Sequence, residues 1–177
     1  MPSIAVQYNV INNAVGMPGG IRFANEIGLE NSQQILMSAS EFTWQTFQQN
    51  STAERRSFQS LTMVVEPSDV FSYKHDNQIY VSSNIIERYS SDLRMELTGV
   101  LYHEVARVWQ WDDNGQAPNG LITGIADFVR LKSGYVPPHW VQPGQGNWWD
   151  DGYDTTARFL DYYNDLRNGF VADLTEG

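Results

Sequence analysis

The chain has no cysteine and few basic residues. Of its 177 residues, 11 are Lys or Arg and 21 are Asp or Glu, which gives a formal net charge of −10. Without cysteine it can form neither disulfides nor a thiolate nucleophile. The excess of negative charge repels nucleic-acid phosphates and anionic membrane surfaces, so we expect neither as a partner. Neutral or cationic small partners fit this charge better.

Long apolar runs are also missing. No stretch approaches the roughly 18 apolar residues of a membrane-spanning helix. The first eight residues, Met1 to Tyr8, lack the basic region and apolar core of a secretory leader. This leaves two alternatives: a trimmed form of a secreted protein, or a protein that stays in the cytosol.

The remaining pattern predicts an α+β fold with one domain over residues 1–177, a length that can bury one substantial core. Apolar residues alternate in the first segment and recur at helical spacing later. The predicted strands are 4–10, 61–65, 70–73 and 78–82, and the predicted helices are 32–49, 91–111, 120–132 and 154–168. Strands before helices favour a small twisted sheet packed on helices, with Ser91 or Asp92 capping the helix 91–111. We expect this helix to form the floor of a cleft and the strand 78–82 to form the cleft's upper edge.

The helix 91–111 carries a motif that is one residue away from a zinc-peptidase signature. In H-E-x-x-H, two histidines on one helical face bind zinc and the glutamate activates its water. This chain has His103, Glu104 and then Arg107 in the place of the second histidine. A guanidinium stays protonated in proteins and offers no lone pair to a metal. Taken alone, the pattern also fits a core histidine beside a salt-bridged arginine.

Several segments together resemble the plant basic secretory protein family, a set of secreted, pathogenesis-related proteins regarded as zinc peptidases. The resemblance lies in residues 97–112, 120–132, 139–146 and 149–162, and it extends back to 19–28. It implies a zincin-like, metallopeptidase-type domain with the active-site helix at 91–111, and it implies a secreted plant defence protein. The acidic composition departs from a family named for being basic.

The resemblance also assigns roles to particular positions. His103 matches the first metal ligand and Glu104 the general base, while Arg107 replaces the second ligand. Thr123 stands where the family pattern places an acid as third ligand, and a neutral hydroxyl is a poor zinc ligand. Asp127 matches an acid that lies behind the metal ligands, and here it can pair with either His103 or Arg107. Since two of three ligands are replaced, we expect no metal and no other cofactor.

Further candidates for the site come from the helix face and from the aromatic residues. Tyr153 lies in a strongly matching segment, and a tyrosine there can face the cleft and donate to an oxyanion. Gln110 shares a helix face with Arg107. The predicted catalytic residues are His103, Glu104, Arg107 and Tyr153, and the predicted ligand-binding residues are Trp109, Gln110, Thr123, Asp127 and Trp149.

Three functions remain open at this stage. The first is a metal-independent enzyme that isomerises, eliminates or cyclises a small molecule, with His103 and Glu104 as acid and base and Arg107 holding a carboxylate or oxyanion. The second is a non-catalytic defence protein that binds a small molecule or peptide, with Arg107 paired to an acid. The third is a zinc peptidase with Asp127 or His139 as substitute ligands.

Overall fold

A mixed four-stranded sheet forms one layer of the protein, in a computed structural model that describes residues 5–176. The strands follow the order β1-β2-β4-β3. The strands β1, β2 and β4 are parallel, and β3 runs antiparallel to β4. Their bounds are β1 (Gln7–Asn12), β2 (Ser60–Glu66), β3 (Ser72–His75) and β4 (Gln78–Ser82).

Helices make up the rest of the architecture. The two longest helices near the sheet, α2 and α4, pack against each other, and α5 packs between α4 and α6. The bounds are α1 (Pro18–Glu26), α2 (Leu29–Thr46), α3 (Ser83–Arg88), α4 (Leu93–Trp109), α5 (Asn119–Ser133), α6 (Tyr153–Leu166) and α7 (Phe170–Leu174). The prediction of an α+β fold is therefore confirmed.

The helix α4 is the central element of the fold. Most of its side chains are buried, from Leu93 to Trp109, because it contacts helices on two sides and the strand β3 on a third. It begins after Asp92, whose carboxylate accepts a hydrogen bond of 2.9 Å from the backbone N–H of Met95. This is the capping predicted from the sequence, and it fixes where the site-bearing helix starts.

The helix α1 was not predicted, because its sequence begins Pro18-Gly19-Gly20. Glycine is a poor helix former, yet here close packing requires it. A Cβ atom at Gly19 would lie 1.8 Å from the carbonyl oxygen of Ser83, and one at Gly20 equally close, at 1.8 Å, to that of Ala14. Tertiary contact with α3 and with the preceding turn therefore outweighs the low helical propensity. The short helices α3 and α7 were also missed.

Two expectations about the sheet need correction. The strand predicted at 78–82 was expected to form the cleft's upper edge, but β4 lies inside the sheet between β2 and β3. One side of β4 pairs with β3 and the other side pairs in parallel with β2. The strand β3 is therefore the edge strand, and it contacts α4. The first strand covers 7–12 rather than 4–10, and Ile4 lies outside the described residues. Among the helices in residues 5–176, none is long and apolar enough to cross a membrane.

The cap at Asp92 yields a test of stability. We expect Asp92→Ala to lower the free energy of unfolding by about 1 kcal/mol, since the N–H of Met95 loses its acceptor and α4 loses a negative charge at its N-terminus. Urea unfolding followed by circular dichroism measures the change. The neighbouring exposed Ser91→Ala is the control and should leave the midpoint unchanged; equal losses in both variants would contradict the assignment of the cap.

Candidate active site

A buried hydrogen bond connects His103 on α4 to Asp127 on α5. The distance between His103 Nδ1 and Asp127 Oδ1 is 2.6 Å. A carboxylate only accepts hydrogen bonds, so Nδ1–H is the donor. In the neutral imidazole the lone pair then resides on Nε2, which has no partner within residues 5–176. The acid that the family pattern places behind the first histidine thus orients this ring.

Glu104 is held from two sides. Its Oε1 accepts a hydrogen bond of 2.7 Å from the hydroxyl of Ser72 on the edge strand β3. Its Oε2 accepts one of 3.4 Å from Nη1 of Arg107, one turn further along α4. The side chain of Glu104 is only 2% exposed, so these contacts are what make its burial tolerable. No hydrogen bond joins it to His103.

Tyr153 covers the imidazole of His103. The two rings are nearly parallel, at 10°, with their centroids 6.0 Å apart. Tyr153 is the first residue of α6 and has a φ of 48°, a left-handed conformation that is costly outside glycine. Its backbone N–H donates to the hydroxyl of Thr123 at 3.3 Å. Thr123, which stands where the family pattern has an acid, therefore helps to stabilise the left-handed turn that positions the ring of Tyr153.

These side chains surround one cavity of about 350 Å³. It opens between the edge strand, the helix pair α4 and α5, and the start of α6. Polar and apolar walls are mixed. The lining residues are Val70, Phe71, Ser72, Val100, His103, Glu104, Arg107, Asp127, Arg130, His139, Trp140, Tyr153 and Asp154.

A second arginine closes the inner wall of this cavity. Arg130 on α5 contacts Glu96 Oε2 at 3.1 Å and donates from Nε to the carbonyl of Tyr135 at 2.8 Å. A Cβ atom at Gly99 would lie 2.5 Å from its Nε, so the absence of a side chain there makes room for the guanidinium. Arg130 is therefore a structural cation whose charge is paired with Glu96, although its buried Nη2 makes no hydrogen bond within the described residues.

The structure places five of the nine predicted site residues at the cavity: His103, Glu104, Arg107, Asp127 and Tyr153. The other four, predicted to bind ligand, lie outside its lining. Trp109 is in the core and donates to Ser40 Oγ at 2.9 Å. Gln110 is buried and donates to the carbonyl of Ile122, while Thr123 is bound to backbone groups. Trp149 packs on Phe159 beside a different cavity.

Physical reasons account for these placements. A helix turns by 100° per residue, so positions after Arg107 at the end of α4 point toward the core or toward α5 instead of the cleft. Sequence analysis missed Ser72, which reaches Glu104 across 32 residues of chain. A strand period of two could have signalled that Ser72 and Lys74 share one face of β3, but not that this face meets α4.

Lys74 adds to the charge at this end of the site. Burial lowers its pKa from the ordinary value, and the positive charges of Arg56 and Arg107 lower it further, whereas Asp112 and Asp76 raise it. Arg56 donates from Nη1 to the carbonyl of Val108 at 2.9 Å, so it is fixed near the C-terminal end of α4. Three cations therefore meet where β3 crosses the end of α4.

The donor set does not fit a zinc ion. Residues 5–176 contain no group of three or more His, Cys, Asp or Glu side chains placed to hold a metal. A tetrahedral zinc site needs three such protein ligands. Arg107 carries a positive charge at one expected position, Thr123 binds backbone groups at another, and Asp127 is engaged with His103 Nδ1.

A mixed sheet whose antiparallel edge strand faces a buried helix bearing His-Glu, with a supporting acid on the next helix, is an arrangement of the peptidase type. Residues 3–177 match the profile of the family described as peptidase of plants and bacteria, and the chain belongs to this basic secretory protein family. It is similar to a basic secretory protease from Boswellia serrata, with 73% identity over 26 residues, which are 15% of this chain and 41% of the relative. No solved structure matches the chain.

The bond between His103 and Asp127 predicts the tautomer of the imidazole. We expect ¹⁵N NMR at neutral or mildly alkaline pH to show His103 protonated on Nδ1 and unprotonated on Nε2. In Asp127→Ala the buried Nδ1–H would have no acceptor, so the Nε2–H form should gain population. Asp154→Asn changes another acid of the cavity that binds the backbone of Val141 and should leave the His103 signals in place. A wild-type Nε2–H form would refute the assignment.

Proposed function

We propose that this member of a peptidase family has lost zinc binding and uses its cleft for metal-independent acid/base chemistry on a small molecule. The observation that carries the proposal is the buried Asp127–His103 hydrogen bond. It presents the Nε2 lone pair as the free nitrogen of a residue that lines a cavity of about 350 Å³, a size suited to a small molecule.

His103 acts first as a base and then as an acid. Its Nε2 takes a proton from a C–H bond next to a carbonyl, and the electron pair of that bond delocalises into an enolate. The proton on Nε2 exchanges with solvent, and Nε2–H then returns a proton to a carbon or to a leaving group. Histidine can both accept and donate a proton near neutral pH. Asp127 stabilises the imidazolium formed in between, as an acid behind a catalytic histidine does. The reaction consumes no oxidant or other co-reactant.

Glu104 does not share this role in the proposal. The sequence suggested an acid/base pair of His103 and Glu104, but Glu104 is committed to Ser72 and Arg107. Both oxygens of this carboxylate already accept a hydrogen bond, so neither is as free to meet a substrate proton as Nε2 of His103. Its task is to hold Arg107 in place, and Arg107 in turn stabilises negative charge that develops on the substrate oxygen.

A non-catalytic binding protein is the second candidate. It is favoured by the contact between Arg107 Nη1 and Glu104 Oε2. This ion pair lies beside His103, where the family's motif would place a metal between two histidines. At 3.4 Å this contact is long, and it leaves most of the guanidinium donors free for a ligand. A zinc peptidase with Asp127 or His139 as substitute ligands has less support, because Asp127 already binds His103 Nδ1.

Deuterium exchange tests the catalytic proposal without knowledge of the product. The protein is incubated in D₂O with a panel of small carbonyl compounds, and mass spectrometry records deuterium at carbon. We expect incorporation into at least one compound in the presence of EDTA, and a loss of roughly 10²-fold or more in His103→Gln, the usual contribution of a general base.

His75→Gln is the matched control, since His75 is the last residue of β3, beside the turn into β4, with its side chain 79% exposed. It should exchange as the wild type does. Incorporation that EDTA abolishes, or that persists in His103→Gln, would contradict metal-independent catalysis by His103. No incorporation with any compound, together with ligand binding in the cleft, would favour the non-catalytic candidate.

Restoring the family's ligand set tests the loss of zinc binding. We expect Arg107→His combined with Thr123→Glu to retain about one zinc per chain after dialysis, because His103 would then have two partners of the usual kind. Elemental analysis measures the zinc. The wild type and the single variant Arg107→His are the controls and should retain none; stoichiometric zinc in the wild type would refute the proposal.

A further inference from the structure

Arg107 has donors that the protein itself does not use. Its Nε–H is buried and has no hydrogen-bond acceptor in the described part of the chain. Its contact with Glu104 engages only Nη1 and is 3.4 Å long. A guanidinium carries five N–H groups, and a buried donor without an acceptor is unfavourable. An arginine in this state at a cavity wall can bind an acceptor from outside through the donors that remain exposed.

Glu104 cannot supply the missing acceptor. One of its oxygens is taken by the hydroxyl of Ser72 at 2.7 Å, and the other already faces Nη1. The two groups are one helical turn apart, so the carboxylate lies along the helix from Arg107 and leaves the cavity side of the guanidinium free. Arg107 is also 23% exposed at its side chain, which leaves it accessible from the cavity.

Lys74 increases the positive potential around Arg107. It lies two residues after Ser72 on β3 and therefore on the same face of the strand. The pKa of Lys74 is lowered by burial and by Arg56 and Arg107, so these cations lie close together. It forms no ion pair within residues 5–176, whereas Arg56 is engaged with the carbonyl of Val108. Lys74 does not line the cavity itself, but its charge adds to the positive potential around Arg107 from the neighbouring strand.

We propose that the cleft takes small carboxylates, whose carboxylate group is bound by Arg107 with support from Lys74. This inference deepens the proposed function and rests on it for the chemistry, though not for the binding. Carboxylate matches the fork of a guanidinium in geometry. The carboxylates of Glu104, Asp127 and Asp154 also line the cavity, so a single negative charge is easier to accommodate there than the double charge of a phosphate.

The remaining walls indicate the body of the ligand. Phe71, Val100, Trp140 and the ring of Tyr153 present apolar and aromatic surface to the same cavity. A carboxylate with a flat apolar body would contact them while its charged end lies on Arg107. His103 and Arg107 are one turn of α4 apart, about 5–6 Å between their Cβ atoms. The two side chains therefore begin on the same face of the helix, so one small ligand can reach both.

The negative net charge affects small anions less than extended ones. A net charge of −10 disfavours extended anions such as nucleic acids, whose many phosphates meet the whole surface. A small monoanion meets only the local field of the cleft. Salt screens charges that are farther apart than about 8–10 Å, so the nearby cations dominate the distant acids.

Matched acids and amides test the inference. Calorimetric titration compares acetate with acetamide, phenylacetate with phenylacetamide, and cinnamate with cinnamamide. Each pair has nearly the same shape and differs in charge. We expect at least one carboxylate to bind ten or more times as tightly as its amide, and we expect its affinity to fall as the salt concentration rises.

Substitutions then assign the contact. Arg107→Gln should lower the affinity for that carboxylate by tenfold or more and leave the amide unchanged. Arg107→Lys keeps the charge without the fork, so a partial loss is expected, and this variant also serves if the glutamine variant does not fold. Lys74→Met should give a smaller loss and a weaker salt dependence. Arg167→Gln removes an exposed cation that pairs with Asp173 and should change nothing.

Three results would overturn the inference: no carboxylate of the panel exceeding its amide, an affinity insensitive to Arg107→Gln, or tighter binding of inorganic phosphate. The outcomes also separate the two proposals. Carboxylate binding without deuterium exchange at His103 would leave the inference standing and remove the catalytic function. Deuterium exchange that depends on His103, with no carboxylate of the panel bound more tightly than its amide, would do the reverse.

Discussion

The hydrogen bond between His103 and Asp127 joins the two helices on which the rest of the cleft is built. Both side chains are buried, and each would be costly there without the other. Their contact orients α5 against α4, and α5 in turn packs closely on α6. At that second interface a Cβ atom at Gly124 would lie 2.2 Å from Cγ2 of Thr156, so the backbone of α5 lies directly against that side chain. The ring of Tyr153, at the start of α6, is thereby placed over the imidazole.

Because of this arrangement, specific contacts hold the side chains on three sides of the cleft. The imidazole is fixed by Asp127 behind it and by Tyr153 above it. Glu104 is fixed by the edge strand through Ser72. Arg107 has an Nε–H without an acceptor in the described residues, and it is the residue that departs most in charge from the family's motif. In the proposed function, the oriented imidazole of His103 and this cation supply the base and the oxyanion partner that enolate chemistry requires.

The sequence predicted the elements that have strong local signals. The helix α4 was placed within two residues at each end, because apolar residues cover most of its faces and Asp92 supplies a cap. The helix α5 was placed within one residue. By contrast, α1 begins with Pro18-Gly19-Gly20 and owes its stability to contacts with Ser83 and Ala14, which are distant in sequence or lie in a turn. Local propensity cannot report such contacts.

The candidate site was predictable to a similar extent. Residues of the motif and its supporting acid, His103, Glu104, Arg107 and Asp127, do meet at one cavity, because helical spacing and the family resemblance both constrain them. Ser72 and Lys74 were missed, since alternation in a strand says which residues share a face but not which strand lies at the edge. The same limit explains why 78–82 was assigned to the cleft's edge in place of β3. Trp149 was included for its type, and its position on a loop left its direction undetermined.

The position of Arg107 also changes how the cleft depends on its surroundings. In a metallopeptidase the positive charge at this place belongs to a bound metal ion, which is lost to chelators or when acid protonates its ligands. A guanidinium is part of the polypeptide and keeps its charge at every pH at which the protein is folded. Supply, loading and competition between metals do not affect it. The positive charge of Arg107 is therefore encoded in the sequence, and it is present in the cleft as soon as the chain has folded.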